Sequence, residues 1–421
     1  MRHTRSNPVR RAVTLVELLV VISIMLLLAA VAVPAMRPMM EGRRIREAAR
    51  AINVYLSSAR SEAMRTGRPV GIMLQRLKGQ PECSMVIDQA EMPPTYAGDS
   101  MDAKVRVQTV NRATGEVRIY VQAGVFTDGL VRTFDRIRFD QQGPWYWLAN
   151  GPDSSAPGTP NHYYYDFANG TDIDGDQFID DPCYLTATLT WATSLGGTPP
   201  WPDAPPSPPR STDASHPVSF EIQRMPVKSN AKPLQLPAGA VVDLAASGTD
   251  RVRFWPWPTS THPAPPPIQD FASVCIMFSP SGAVHRLYTY TDWWRDSSGQ
   301  IETRMGVDPN PDPIFLLVGR RERVADFITS PLPGTPTAEE KPNWADMGNL
   351  WVTLNPQTGL VSVAENSQVN ATENPVGDLN CDPNNDLGTA PAFSWSDPTS
   401  WNAAIWRTRQ YARQAQSVGG R

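Results

Sequence analysis

The chain is poor in the residues that most catalytic and metal chemistry requires. Among 421 residues there are only 4 Cys and 5 His. Cys83, Cys183, Cys275 and Cys381 lie far apart with no CxxC pair, a spacing poor for a zinc site. His3, His162, His216, His262 and His285 leave little material for metal–His or Ser–His centres. There is no basic surplus either. Lys and Arg number 38 against 42 Asp and Glu, a formal net charge of −4 that disfavours a nucleic-acid partner. No P-loop, GxGxxG, GxSxG or HExxH occurs, so an enzyme is not expected. No internal repeat points to a solenoid. Proline is scarce at the start, where only Pro8, Pro34 and Pro38 precede Pro69.

Beyond that point proline is abundant, reaching 42 in the whole chain and disfavouring packed helical domains. Disorder throughout is excluded by 41% hydrophobic residues and 13 Trp, enough to bury a core. The chain is therefore partitioned into a helix-permissive start and a Pro-rich remainder.

The start carries the strongest signal. Met1 to Ala12 holds Arg2, Arg5, Arg10 and Arg11 and no acid. An apolar run follows from Leu18 to Met36, broken only by Ser23. As a helix it would cover roughly 28 Å, close to a bilayer core of about 30 Å. Glu17 stands at its mouth, where a carboxylate is costly and usually functional.

Ala12, Val13, Thr14, Leu15, Val16 and Glu17, followed by LLVVISIMLLLAAVAVP, resemble the processing motif of the type IV pilin and pseudopilin superfamily. Pro34 matches the family's proline near the end of the apolar stretch. Two positions depart from the pattern: Ala12 stands for the usual Gly and Val13 for the usual Phe. The resemblance implies cleavage between Ala12 and Val13 by a prepilin peptidase, and methylation of the new Val13 amine. It implies that Glu17 pairs with the terminal amine of a neighbouring subunit and so sets subunit register, and that Pro34 bends the helix. It further implies a single-pass inner-membrane protein with its head in the periplasm or outside the cell. Its partners would be the peptidase, other pilins or pseudopilins and the inner membrane.

Past Pro34 the pattern continues. Ile45, Ala48, Ala49, Ile52, Tyr55, Leu56, Ala59 and Ala63 recur at steps of three and four, an amphipathic helix. Thr66, Gly67 and Pro69 stop it. Short alternating runs follow, among them Val70–Leu74, Cys83–Ile87, Val105–Val110, Ser273–Phe278, Pro313–Val318 and Leu350–Leu354, and read as a meander of strands. The expected class is α+β: a long N-terminal helix, membrane-spanning then amphipathic, packed on a mainly antiparallel β-sheet head. The expected divisions are a leader (1–12), a helix (13–66) and a head (67–421). The head carries an insertion over about 140–215 and Pro-rich loops over about 199–267.

ARSEA at 59–63, LQLPAGAVV at 234–242 and CIMFSPSGAV at 275–284 resemble the H-type minor pseudopilins of type II secretion and related FimT-like minor pilins. In that group the last two are paired head strands. The function this implies is a structural minor subunit of a type II secretion pseudopilus or a type IV pilus. The alternatives are a calcium-dependent adhesin or binding module on a pilin stalk, and a DNA-uptake minor pilin. Calcium enters through Asp172, Asp174, Asp176 and Asp180, whose alternation suits an oxygen-ligated cation. Gln177 stands where the sharp-turn Gly belongs and Cys183 where the closing acid belongs. A second acidic loop runs from Asp378 to Asp386 beside Cys381. A disulfide between Cys183 and Cys381 would pin the two loops in an exported head; four cysteines allow three connectivities.

Overall fold

The computed structural model describes residues 15–111, 116–122, 135–141, 145–147, 175–178, 184–188, 216–250, 253–254, 273–295, 301–308, 311–325, 341–367 and 401–419. Helix α1 runs from Leu15 to Thr66. In its second half Ile45, Ala48, Ala49, Ile52, Leu56, Ala59 and Ala63 are buried, and Tyr55 packs partly against them. Their spacing places them on one face, and the four alanines let strands approach the helix backbone closely. Each buried Ile or Leu contributes about 1.5–3 kcal/mol. The helix ends where Gly67 takes φ 66° and its N–H bonds Ala63 O at 3.1 Å, a left-handed cap that suits glycine.

Among the described residues the strands that follow form four antiparallel sheets. The largest has seven strands: β1 (Val70–Gln75), β3 (Val86–Glu91), β10 (Val227–Lys228), β11 (Leu234–Gln235), β13 (Val274–Phe278), β14 (Val284–Arg295) and β15 (Ile301–Asp308). Its path is β10-β3-β1-β13-β14-β15, with β11 also on β3. The second has five, in the order β18 (Val361–Glu365), β17 (Leu350–Leu354), β16 (Ile314–Arg320), β12 (Ala240–Gly248) and β2 (Cys83–Ser84). Two three-stranded sheets hold β4 (Val105–Asn111), β5 (Glu116–Val121) and β8 (Tyr184–Thr188), and β7 (Tyr146–Trp147), β6 (Arg136–Phe139) and β9 (Phe220–Gln223).

The main core lies where α1 meets both large sheets. Ile72, Leu74, Ile276 and Phe278 come from the first; Val242, Leu244, Leu316, Val318 and Val352 come from the second. The five-stranded sheet is buried on its other face too. Helices α2 (Trp401–Thr408) and α3 (Gln410–Gly419) bring Ala404, Ile405 and Ala412 against Phe315, Leu317, Trp344 and Trp351. Burial on both faces explains why β16 is an unbroken apolar run rather than an alternating one.

Several expectations are corrected. Strand accounts for 38% of the described structure and helix for 29%, so the class is mainly β rather than α+β. The buried helix face belongs to a core shared by two sheets, not to a helix laid on one. No helix among the described residues is long and apolar enough to cross a membrane. The membrane-spanning segment, the single-pass inner-membrane location and the membrane and secretion-system descriptors fall with that finding. The meander also fails, because the chain shuttles between sheets: β1 and β3 lie in one and the intervening β2 in the other. The segments at 234–242 and 275–284 do not pair. β12 joins β16 and β2, whereas β13 joins β1 and β14.

A close contact near the end of α1 helps to lock helix and sheets together. Arg60 Nε donates to Gly282 O at 3.0 Å, in the turn between β13 and β14. Gly359, in the turn between β17 and β18 with φ 65°, lies so near that a Cβ there would stand 1.9 Å from Gly282 O. Gly359→Ala should therefore destabilise the fold by about 2–4 kcal/mol, read as a lowered midpoint in urea unfolding.

Candidate functional site

Two regions of the described structure have geometry that packing alone does not account for. The first is the start of α1. Leu15, Val16, Leu18, Leu19, Val20, Val21, Ile22, Ile24, Met25, Leu26, Leu27 and Leu28 are each 48–79% exposed. They occupy every face of the helix, and a helix apolar all round is stable in water only when something covers it. Further along, Arg320 Nη1 meets Glu41 Oε2 at 2.6 Å, tying α1 to β16 just before the buried face begins. The exposed segment is thus one continuous helix with the part gripped by the head.

The second region is a buried polar network beneath α2. Asp243 on β12 is wholly buried. Its Oδ2 accepts a bond from Asn343 Nδ2 at 3.0 Å and its Oδ1 one from Ala246 N at 3.1 Å. Asn343 also accepts from Arg320 N at 2.8 Å and donates to Arg320 O at 2.9 Å. It approaches β16 this closely because position 319 is Gly, where a Cβ would stand 2.5 Å from the Asn343 side chain. Asn366 extends the network, donating to Trp344 O and accepting from Trp351 Nε1, both at 2.8 Å. Burial pushes the Asp243 carboxyl up to about 6, although the bonds from Asn343, Ala246 and Ala245 pull it down. Cys83, beside Asp243 on β2, is pushed up to about 12 by burial and then by Asp243 and Glu82. Its thiol stays protonated at neutral pH and is no nucleophile.

The residues expected from sequence fall out unevenly. Glu17 lies in the first turn of α1, on its exposed part. Pro34 lies within the span of α1, and its side chain is outside the described residues. Ala12, Val13, Asp172, Asp174, Asp180, Cys183 and Cys381 are outside the described residues. Asp176 is inside them and is committed: it forms an ion pair with Arg106 and accepts from Phe178 N at 2.8 Å. The Arg106 guanidinium in turn lies 4.2 Å over the Phe178 ring. Among the described residues no group of three or more His, Cys, Asp or Glu can hold a metal ion. Cys83 and Cys275 are buried free thiols. Sequence reading missed Asp243, Asn343 and Arg60. The only local signal was an acid inside the otherwise apolar AVVDLAA run.

No family model, no curated protein and no solved structure matches this chain.

Two outcomes follow from this geometry. The native state holds the Asp243 proton more tightly than the unfolded chain, so stability should fall as pH rises from about 4 to about 6, by about 3 kcal/mol in all. Asp243→Asn should flatten that slope in urea unfolding across the window, whatever its offset. Calorimetry should show equal calcium uptake by the parent chain and by Asp176→Asn, because Arg106 already occupies that carboxylate.

Proposed function

We propose that this chain is a structural, pilin-like subunit of a pilus- or pseudopilus-like filament, cut before Val13 by a prepilin peptidase and methylated there. What carries the reading is the unbroken α1, with an apolar segment exposed on all sides at one end and a face buried in the head at the other. Copies of that segment packed side by side would cover one another's apolar surface, an assembly driven by burial at about 25 cal/mol per Å². The motif at 12–17 supplies the processing signal, and Glu17 supplies register. A carboxylate taken into an apolar bundle costs several kcal/mol unless a charged partner meets it, so only the stagger that brings it to a neighbour's terminal amine is favourable.

Mass spectrometry of the chain from its native cell should find Val13 as the N-terminal residue, carrying one methyl group. Glu17→Gln should lower incorporation into sheared filaments at least tenfold while leaving the head's melting temperature unchanged. Normal incorporation of that variant would remove the register role. Incorporation of a variant with Leu19, Ile22 and Leu26 all changed to Ser would remove the filament reading itself.

A further inference from the structure

Charge is segregated along this chain. Residues 1–66 carry 11 basic against 4 acidic side chains, and residues 67–421 carry 27 against 38, so the helical end is formally +7 and the head −11. Four of the arginines sit where α1 enters the head. Arg43, Arg44, Arg46 and Arg50 are exposed, and none forms an ion pair or a hydrogen bond. Arg43, Arg46 and Arg50 are three and four residues apart, which puts them on one face, opposite the buried Ile45, Ala48, Ala49 and Ile52. Like charges at that spacing repel. The acids of this stretch pair with none of them: Glu41 is taken by Arg320 at 2.6 Å, and Glu47 forms no ion pair. Arg44 lies to one side, in a cleft also lined by Glu41, Arg320 and Glu322.

The compensating charge is on the rest of the chain. Glu91, Asp102, Glu322 and Glu365 are exposed acids of the described head and form no ion pair. Ile45 is already buried, so the head begins at the level of the arginine face. A neighbour lying alongside, its apolar end against this one, brings its own head to that level.

We propose that Arg43, Arg46 and Arg50 are the docking face for the acid-rich head of a second copy of this chain. The inference rests on the filament reading for what brings copies alongside; what it adds is the partner surface. Guanidinium groups suit it, since they are weakly hydrated and their forks match carboxylates. Such pairing fixes orientation more than it adds affinity, and salt screens it.

The test uses the full chain in a mild detergent, which covers the apolar end of α1 and leaves polar contacts to act. Sedimentation at about 20 mM salt should show self-association that is lost at about 500 mM. The triple variant Arg43→Gln, Arg46→Gln, Arg50→Gln should weaken it at least tenfold with an unchanged melting temperature, and Arg68→Gln, past the end of α1, should leave it as it is. Arg46→Lys keeps the charge and adds an amine that carbodiimide joins to a carboxylate as an amide. In a mixture of isotope-labelled and unlabelled copies, the introduced amine should be found joined to Asp or Glu of the other copy's residues 67–421. A parent that stays monomeric at low salt, a triple variant that associates as tightly as the parent, or cross-links confined to one copy would each overturn the proposal. So would arginine-dependent pelleting with phosphatidylglycerol vesicles in place of self-association. Because the apolar end is covered, failure of the filament reading in the Leu19, Ile22 and Leu26 variant leaves the salt-sensitive association standing. Loss of that association beside intact parent filaments removes only the docking face.

Discussion

The seam of small residues on α1 is the constraint on which the head depends. Ala48, Ala49, Ala59 and Ala63 alternate with Ile45, Ile52 and Leu56 along one face, all within the main core. Larger residues at the alanines would hold the helix away from β1, β12, β16 and β17 and open the space the two sheets share. Because α1 is one helix, the same seam fixes how its exposed apolar end is presented. Glu41 with Arg320, and Arg60 with Gly282, add directional contacts at either end of the gripped part. Hydrophobic burial alone is non-directional and would let the helix slide.

The five-stranded sheet must satisfy its polar groups from within the protein. Covered on both faces, it has no water to satisfy polar groups at the irregularity in β12 between Asp243 and Gly248. Asp243 accepts from Ala246 N and the Ser247 hydroxyl accepts from Leu317 N, while Asn343 reaches from Asp243 on β12 to Arg320 on β16 and is itself held by Asn349 and Asn366. On the outer side Arg409, buried between the C-terminal helices, donates to Ala246 O and Thr249 O and lies 4.9 Å from the Phe315 ring. A buried cation is tolerable there because Nη1 and Nη2 meet carbonyls, the Asp250 carboxylate stands 4.0 Å away and aromatic rings line its face.

In the two large sheets the strands that face a core were legible in the sequence, and the end strands β15 and β18 were not. β1, β13, β16 and β17 carry apolar runs because neighbours bury them. β18, at the end of its sheet, is a mixture of exposed and half-buried positions, and β15, at the end of the other, reads IETRMGVD. Neither shows a period that identifies a strand. The run at 83–87 is split between two sheets, with β2 ending at Ser84 and β3 beginning at Val86. Candidate-site residues divide the same way. Glu17 was visible because a carboxylate beside an apolar run is conspicuous. Arg60 and Asn343 were not, because each is ordinary in its own segment and meets its partner only across the fold.

By itself the sequence determined the periodic features: the three-and-four spacing from Ile45 to Ala63, the glycine stop at Gly67, the apolar strands, and the charged, Arg-bearing leader before an apolar run. These are local, since side-chain spacing and backbone stereochemistry act within a few residues. Only the tertiary structure decided that strand outweighs helix, that no helix among the described residues is long and apolar enough to cross a membrane, and that β12 and β13 belong to different sheets. It alone placed Asn343 beside Asp243 and Arg60 against the carbonyl of Gly282. Those outcomes depend on pairings between residues far apart in the chain, whose register is set by the whole core and not by any one segment.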